Sequence, residues 1–182
     1  MRGMLFQVGI LGFSRREGAF SELGLRSWEE AGCAAVEAAL MRGNEQVYVV
    51  HRPMVIRITR PKVQKLLRDW CDAPHVSSRC QLVLTVGATG YTKADVVPEA
   101  THPLLTHHLP GIAELLRRAV ADAGYPIDSV TRGLAGIRRG TLLINLPGDL
   151  HGHANPAALF AATESLLPVL PTLLADIRSL RR

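Results

Sequence analysis

Residues 80–99 read CQLVLTVGATGYTKADVVPE, and their pattern decides the fold. Leu82, Val83, Leu84 and Val86 are too continuously apolar for a strand with one face in water. Such a run is a central parallel strand covered on both faces. It ends in Gly87-Ala88-Thr89-Gly90, where the glycines let the backbone turn tightly and approach a ligand because neither carries a Cβ. Amides exposed in such a turn can hold a phosphate, and the hydroxyls of Thr85 and Thr89 are candidates for further contacts. Asp95 is a candidate to bind a metal or to orient a polar substrate. On this segment alone, a strand-to-helix turn without ligand is an equal reading.

A second segment changes that balance. Residues 129–148 read SVTRGLAGIRRGTLLINLPG, and the apolar strand Thr141–Leu146 again stops at a proline-glycine turn. Two strands of one sheet thus end in glycine turns, and ligands of open α/β sheets bind outside such carboxyl ends. Working outward, a first strand is expected over Leu5–Phe13. An amphipathic helix follows over Glu22–Met41, with Leu23, Leu25, Trp28, Ala31 and Ala35 inward. Next come a strand over Gln46–His51 and a helix from Pro61 to about Trp70, capped by Thr59. Beyond the glycine loop a helix runs over Ile112–Ala123 and stops at Gly124. Short strands are expected at Ser129–Arg132 and Gly136–Arg139, and two helices over Asn155–Leu180, split by Pro168 and Pro171. Alternating strands and helices make this an α/β chain: a three-layer α/β/α sandwich on a mostly parallel sheet, as a single domain over 1–182.

Composition narrows the function classes. The chain has 182 residues, of which 47% are hydrophobic and 20% charged, which suits a globular core. The net charge of +5 favours anionic partners, but no basic run is interleaved with aromatics and no zinc-finger or RNA-recognition motif is present, so nucleic acid is not expected as a partner. Cys33, Cys71 and Cys80 are odd in number and lack CxxC spacing, so they read as core residues. No signal peptide and no apolar run of about 18 residues is seen, and a cytoplasmic protein without a membrane span is expected.

The ordered motifs support a resemblance. TVGATG at 85–90, KAD at 93–95, PEA at 98–100, LPGIAE at 109–114, TRGLAG at 131–136 and NLPG at 145–148 stand in order and spacing. GFSRREGAFSELG at 12–24 adds a weaker match. The chain resembles the molybdopterin adenylyltransferase family, the MogA/MoaB-type proteins of molybdenum cofactor biosynthesis and the related gephyrin-like domains. The resemblance implies that molybdopterin is the ligand and that its terminal phosphate is adenylylated from Mg-ATP, with pyrophosphate leaving. It also implies a homotrimer and a partner protein for molybdenum insertion. Gly87, Ala88, Thr89 and Gly90 match the phosphate cradle, Asp95 the pocket carboxylate and candidate magnesium ligand, and Asn145, Pro147 and Gly148 the second loop of the pocket.

Departures from the family pattern at Ala88, Asp149 and the His51–Pro53 region keep a rival open, a molybdopterin carrier or assembly protein without transfer activity. Ala88 stands where a glycine is usual, Thr131 where serine is common, and Asp149 where a small or amide residue follows Pro-Gly. An acidic residue usually follows the second strand, where this chain is read as His51, Arg52 and Pro53. Arg132 can pair either with a phosphate or with Glu99 in a buried salt bridge. Ser14 and Glu22 are further pocket candidates, Glu22 alternatively being a helix-start carboxylate. Asp149, His151 and His153 read as a solvated or lid-like loop rather than a metal site. His107 and His108 read as exposed loop residues, and Arg138 and Arg139 as solvated.

Overall fold

The computed structural model describes residues 6–14, 28–42, 48–73, 79–147 and 155–179. In chain order these form β1 (Phe6–Ser14), α1 (Trp28–Arg42), β2 (Tyr48–Arg57), α2 (Arg60–Asp72), β3 (Leu82–Val86) and α3 (Val97–Thr101). A 3₁₀ turn at His102–Leu104 leads to β4 (His107–His108), α4 (Pro110–Asp122), α5 (Pro126–Ser129), β5 (Ala135–Arg138), β6 (Thr141–Asn145), α6 (Pro156–Leu166) and α7 (Leu170–Ser179). The strands make one sheet in the order β2-β1-β3-β6-β5-β4. β2, β1, β3 and β6 are parallel, whereas β5 is antiparallel to β6 and β4 to β5.

Alternation along the strands sorts the side chains into two cores, because successive residues of a strand face opposite sides. Phe6, Val8 and Ile10 of β1, Leu82, Leu84 and Val86 of β3, and Leu142 and Ile144 of β6 pack with α1, α4, α6 and α7. Leu11 and Phe13, Val83, and Leu143 pack on the other face with α2 and α3, through Val63, Leu67, Val97 and Ala100. The sheet is therefore covered on both sides, and the five residues of β3 are all buried.

Several boundaries differ from expectation. β2 runs on to Arg57 because an extra residue is absorbed between the pairs Gly9–His51 and Leu11–Met54. That bulge coincides with Arg52-Pro53, and an edge strand with a bulge is where a sheet tolerates proline. The residues that follow the second strand are consequently Ile58, Thr59 and Arg60, not His51–Pro53. Thr59 holds an extended cap position but its hydroxyl makes no cap bond. The strand expected at Ser129–Arg132 is absent; α5 and irregular backbone take its place, with Pro126 suited to the first turn of α5. Pro171 lies in the first turn of α7, so the break between the last two helices falls at Pro168. Leu166, Leu170 and Leu174 are buried in the chain's own core and Leu173 packs against it. They cap the chain's own core and offer no exposed apolar face for assembly. No single helix among the described residues is long and apolar enough to cross a membrane.

Candidate functional site

The topology brings two carboxyl ends together. β1 lies between β2 and β3, so the chain leaves β1 in one direction for β2 and returns on its other side as β3. This is a switch point, where open α/β sheets leave a crevice outside the strand ends. Gly12 pairs with Val86 there, so Ser14 and the loop beginning at Gly87 leave the sheet side by side.

Gly87 and Ala88 both adopt left-handed backbone, at φ 88° and 53°. Ala88 thus keeps a conformation natural to glycine, at a cost of about 1–2 kcal/mol for an L-residue. Its methyl is buried against the α2/α3 core, which returns roughly 0.8 kcal/mol.

The next three carbonyls are drawn into the protein. Ala88 O accepts from Val97 N (3.4 Å), and Thr89 O accepts from Arg132 N (2.9 Å) and from Thr131 Oγ1 (3.3 Å). Gly90 O accepts from Arg132 Nε at 2.7 Å. In a trans peptide the N–H opposes the preceding carbonyl, so the amides of Thr89, Gly90 and Tyr91 are turned the other way. Among the described residues no protein acceptor takes them.

The side chains of this region face inward. Thr85 and Asn145 are register partners on β3 and β6. Asn145 Nδ2 donates to Thr85 Oγ1 (2.9 Å) and to Thr101 Oγ1 (3.1 Å), while its Oδ1 accepts from Leu134 N (3.4 Å). Thr89 Oγ1 points at Leu146 O, 3.5 Å away. Thr85, Thr89 and Asn145 are all buried, as is Pro147. Their polar atoms brace the loop, whose residues Gly87–Gly90 are themselves buried. Thr131 joins this bracing, since its hydroxyl also accepts from Gly133 N at 3.2 Å. A Cβ on Gly133 would lie 2.7 Å from Asn145 O, so the TRG segment can approach β6 only with glycine there.

Asp95 is 1% exposed. Its Oδ2 accepts from Thr92 N (2.8 Å) and Thr92 Oγ1 (2.7 Å), closing the far end of the loop. Arg132 closes the near end. Besides Gly90 O it reaches Asp95 O through Nη2 (2.7 Å) and pairs with Glu99 Oε1 through Nη1. Both partners of that ion pair are 41% exposed, so it is half-exposed rather than buried. Thr101 and α3 were not legible as part of this network, because five residues are too few for a periodic signal; Pro98 in the first turn of α3 is the one cue. Among the described residues no group of three or more His, Cys, Asp or Glu side chains is placed to hold a metal ion. A magnesium bound here would rely on one carboxylate and on ligand phosphates, the usual arrangement for this ion.

Other expected site residues stand apart or lie elsewhere. Glu22, Gly148, Asp149, His151 and His153 fall outside the described residues. His107 and His108 are exposed, as expected, but form the edge strand β4 rather than a loop. Arg138 is not solvated: its Nη2 lies 2.5 Å from Asp72 Oδ2 and its Nη1 donates to Leu104 O at 3.1 Å. Arg139 is exposed, in a left-handed turn position. The three cysteines are buried and form no disulfide among the described residues. Burial pushes the thiols of Cys71 and Cys80 up to about 12, so both are protonated and inert at neutral pH.

Beside the braced loop is an open cavity of about 420 Å³, bordered by Arg60, Pro98, Glu99, His102 and Arg132 among others. A second cavity of about 620 Å³ lies between the start of α4 and α7 and is not in contact with the loop.

Comparison with known proteins assigns this architecture. Residues 38–172 match the family model described as "Probable molybdopterin binding domain". The chain belongs to this molybdopterin-binding family. It is 34% identical over 118 residues to the molybdopterin adenylyltransferase of Helicobacter pylori, a match covering 64% of this chain and 60% of that protein. Among solved structures, it is similar to the molybdopterin biosynthesis enzyme MoaB of Thermus thermophilus, at 32% identity and a TM-score of 0.76 over 96% of this chain and 98% of that one. A molybdopterin biosynthesis protein of Mycobacterium abscessus superposes with a TM-score of 0.78 at 26% identity, covering 97% and 99% of the two chains. These likenesses bear out the three-layer α/β architecture and the family read from the motifs.

Proposed function

We propose that this chain, as a single domain over residues 1–182, acts in molybdenum cofactor biosynthesis. It binds molybdopterin at the carboxyl ends of β1 and β3 and adenylylates the pterin's terminal phosphate from Mg-ATP. The observation that carries the reading is the loop after β3, where the three carbonyls of Ala88, Thr89 and Gly90 are held by protein donors, which leaves the main-chain N–H groups of the turn as the contacts a phosphate would take. Such a nest of N–H groups suits a phosphate and stabilises the charge of a phosphoryl group in transfer without reorganising. The adenylyltransferase relatives support the reaction.

Roles follow from the bonds each residue makes. Gly87, Ala88, Thr89 and Gly90 supply main-chain contacts to the phosphate. Thr85, Thr131, Asn145 and Arg132 hold that main chain in place, and Asp95 closes the loop and is the carboxylate nearest to serve magnesium. Ser14, Glu22, Pro147, Gly148 and Asp149 are assigned to the same pocket by the sequence alone. Magnesium, when bound, neutralises the phosphates of ATP. Assembly as a homotrimer and transfer to a metal-insertion partner complete the reading; the trimer contact uses a face other than the buried leucines of α6 and α7.

One observation favours the carrier as a second reading. The residue that opens α2, three positions beyond the end of β2, is Arg60, so this edge of the site carries a cation where the family pattern has an acid. An arginine there attracts the ligand's phosphates directly and does not hold magnesium. Incubation of the protein with molybdopterin, ATP and magnesium, scored for adenylylated pterin and pyrophosphate, separates the two. Turnover that is lost in Asp95→Asn with an unchanged thermal midpoint supports the transferase. Saturable pterin binding without turnover selects the carrier, and no binding at all refutes both.

A further inference from the structure

His102 and His108 stand side by side in the segment that joins α3 to α4. Their ring centres are 4.7 Å apart, with the planes inclined by 41°. Both residues are exposed, and neither ring hydrogen-bonds to protein among the described residues, whereas His107 between them has its Nδ1 3.2 Å from Thr106 Oγ1. The main chain that carries the two rings is fixed. His102 N donates to Pro98 O, and His102 O accepts from Leu105 N at 3.3 Å. His108 lies opposite Gly136 in the β4–β5 ladder, flanked by the bonds from Thr106 N to Ile137 O and from Leu109 N to Ala135 O, both 2.8 Å. A Cβ on Gly136 would fall 2.4 Å from His107 O, so β4 can lie this close to β5 only with glycine there.

We propose that His102 and His108 form a two-histidine site for one divalent ion of the zinc, nickel and copper class. Imidazole nitrogen binds such ions at about 2.0–2.1 Å. With that bond length and an angle of about 90–110° at the metal, two rings on one ion have their centres about 4.5–5.2 Å apart. The separation of 4.7 Å falls within this range. Imidazole suits these ions and not magnesium, which takes oxygen ligands. No third His, Cys, Asp or Glu among the described residues completes the set. The remaining coordination positions therefore go to water or to an exogenous ligand, the open arrangement of metal sites that act on a bound molecule. His102 borders the cavity beside the glycine loop and His108 the cavity between α4 and α7, so the ion stands between the two. The site is separate from Asp95 and does not depend on the phosphate reading of the loop.

Calorimetric titration of the untagged full chain with nickel(II) chloride, in a large excess of magnesium, tests this. One ion should bind per chain. His102→Gln and His108→Gln should each weaken binding by roughly tenfold or more, the order of loss when a coordination set is disturbed, and His107→Gln should leave it unchanged. All three side chains are exposed, so none of the variants should shift the metal-free thermal midpoint. With one equivalent of copper(II), electron paramagnetic resonance should show coupling to two nitrogens in wild type and to fewer in the His102 and His108 variants. A loss of affinity in only one of those two variants, an equal loss in His107→Gln, or no saturable nickel binding by wild type would overturn the inference. So would a nickel-dependent doubling of mass in light scattering, which would assign the rings to a contact between chains.

Discussion

Arg132→Ala removes the residue that ties the segment before β5 to the glycine loop. Three contacts go: the bonds to Gly90 O and Asp95 O, both 2.7 Å, and the ion pair with Glu99. A hydrogen bond from a charged donor is worth about 1.5–3 kcal/mol, but this side chain is half-exposed and water replaces part of each bond, leaving about 1 kcal/mol apiece. The ion pair, open to solvent on both sides, adds less than about 1 kcal/mol. The sum is roughly 2–3 kcal/mol, which for a chain of this length lowers the thermal midpoint by roughly 5–10 °C. Arg132→Lys keeps the charge but loses the planar fork that reaches three acceptors at once, so it should retain about half of the stabilisation. Glu99→Gln removes the ion pair alone and should cost less than about 1 kcal/mol. Urea unfolding of the three variants gives the ranking, and pyrophosphate titration reports whether loosening the loop costs binding as well. If Arg132→Ala and Glu99→Gln lose the same stability, the energy lies in the ion pair, and the account of Arg132 as a clamp on the loop carbonyls is wrong.

Two further predictions concern buried groups. Asn145→Ala strips the donors from Thr85 and Thr101 and the acceptor from Leu134 N, and leaves a small void in a fully buried site; it should cost about 2–4 kcal/mol of unfolding free energy, and a loss below about 1 kcal/mol would contradict the network. Cys71 and Cys80, raised from 9.0 to about 12 by burial, keep their protons in the folded chain at a pH where the unfolded chain has released them. Their contribution to stability is therefore complete below pH 9 and is lost as pH climbs from 9 toward 12. Denaturation melts across that range should show a steeper alkaline decline in wild type than in Cys71→Ala/Cys80→Ala, and identical slopes would refute the assignment.

The parallel strands were legible because Leu82–Val86 and Thr141–Asn145 are almost continuously apolar, the mark of strands covered on both faces. β2 was cut short because Arg52-Pro53 reads as a stop, and only the pairing with β1 reveals the bulge that carries the strand past it. The role of the hydroxyls shows a subtler limit. Thr85 and Asn145 share the odd-numbered face of their strands with Val83 and Leu143, which the alternation already assigns to the interior beneath α2 and α3. A polar side chain on a face that is buried throughout must find a partner in the protein, since leaving it unpaired costs about 1–3 kcal/mol. The threonine before the glycine turn therefore reads as a brace by its parity, even though its neighbourhood reads as a ligand contact. Ala88 makes the complementary point: its methyl does not force a different turn, because the buried pocket on the α2/α3 side accepts it in the left-handed conformation. The cradle thus depends on main-chain direction, which the surrounding bonds impose and the identity of one loop residue does not reveal.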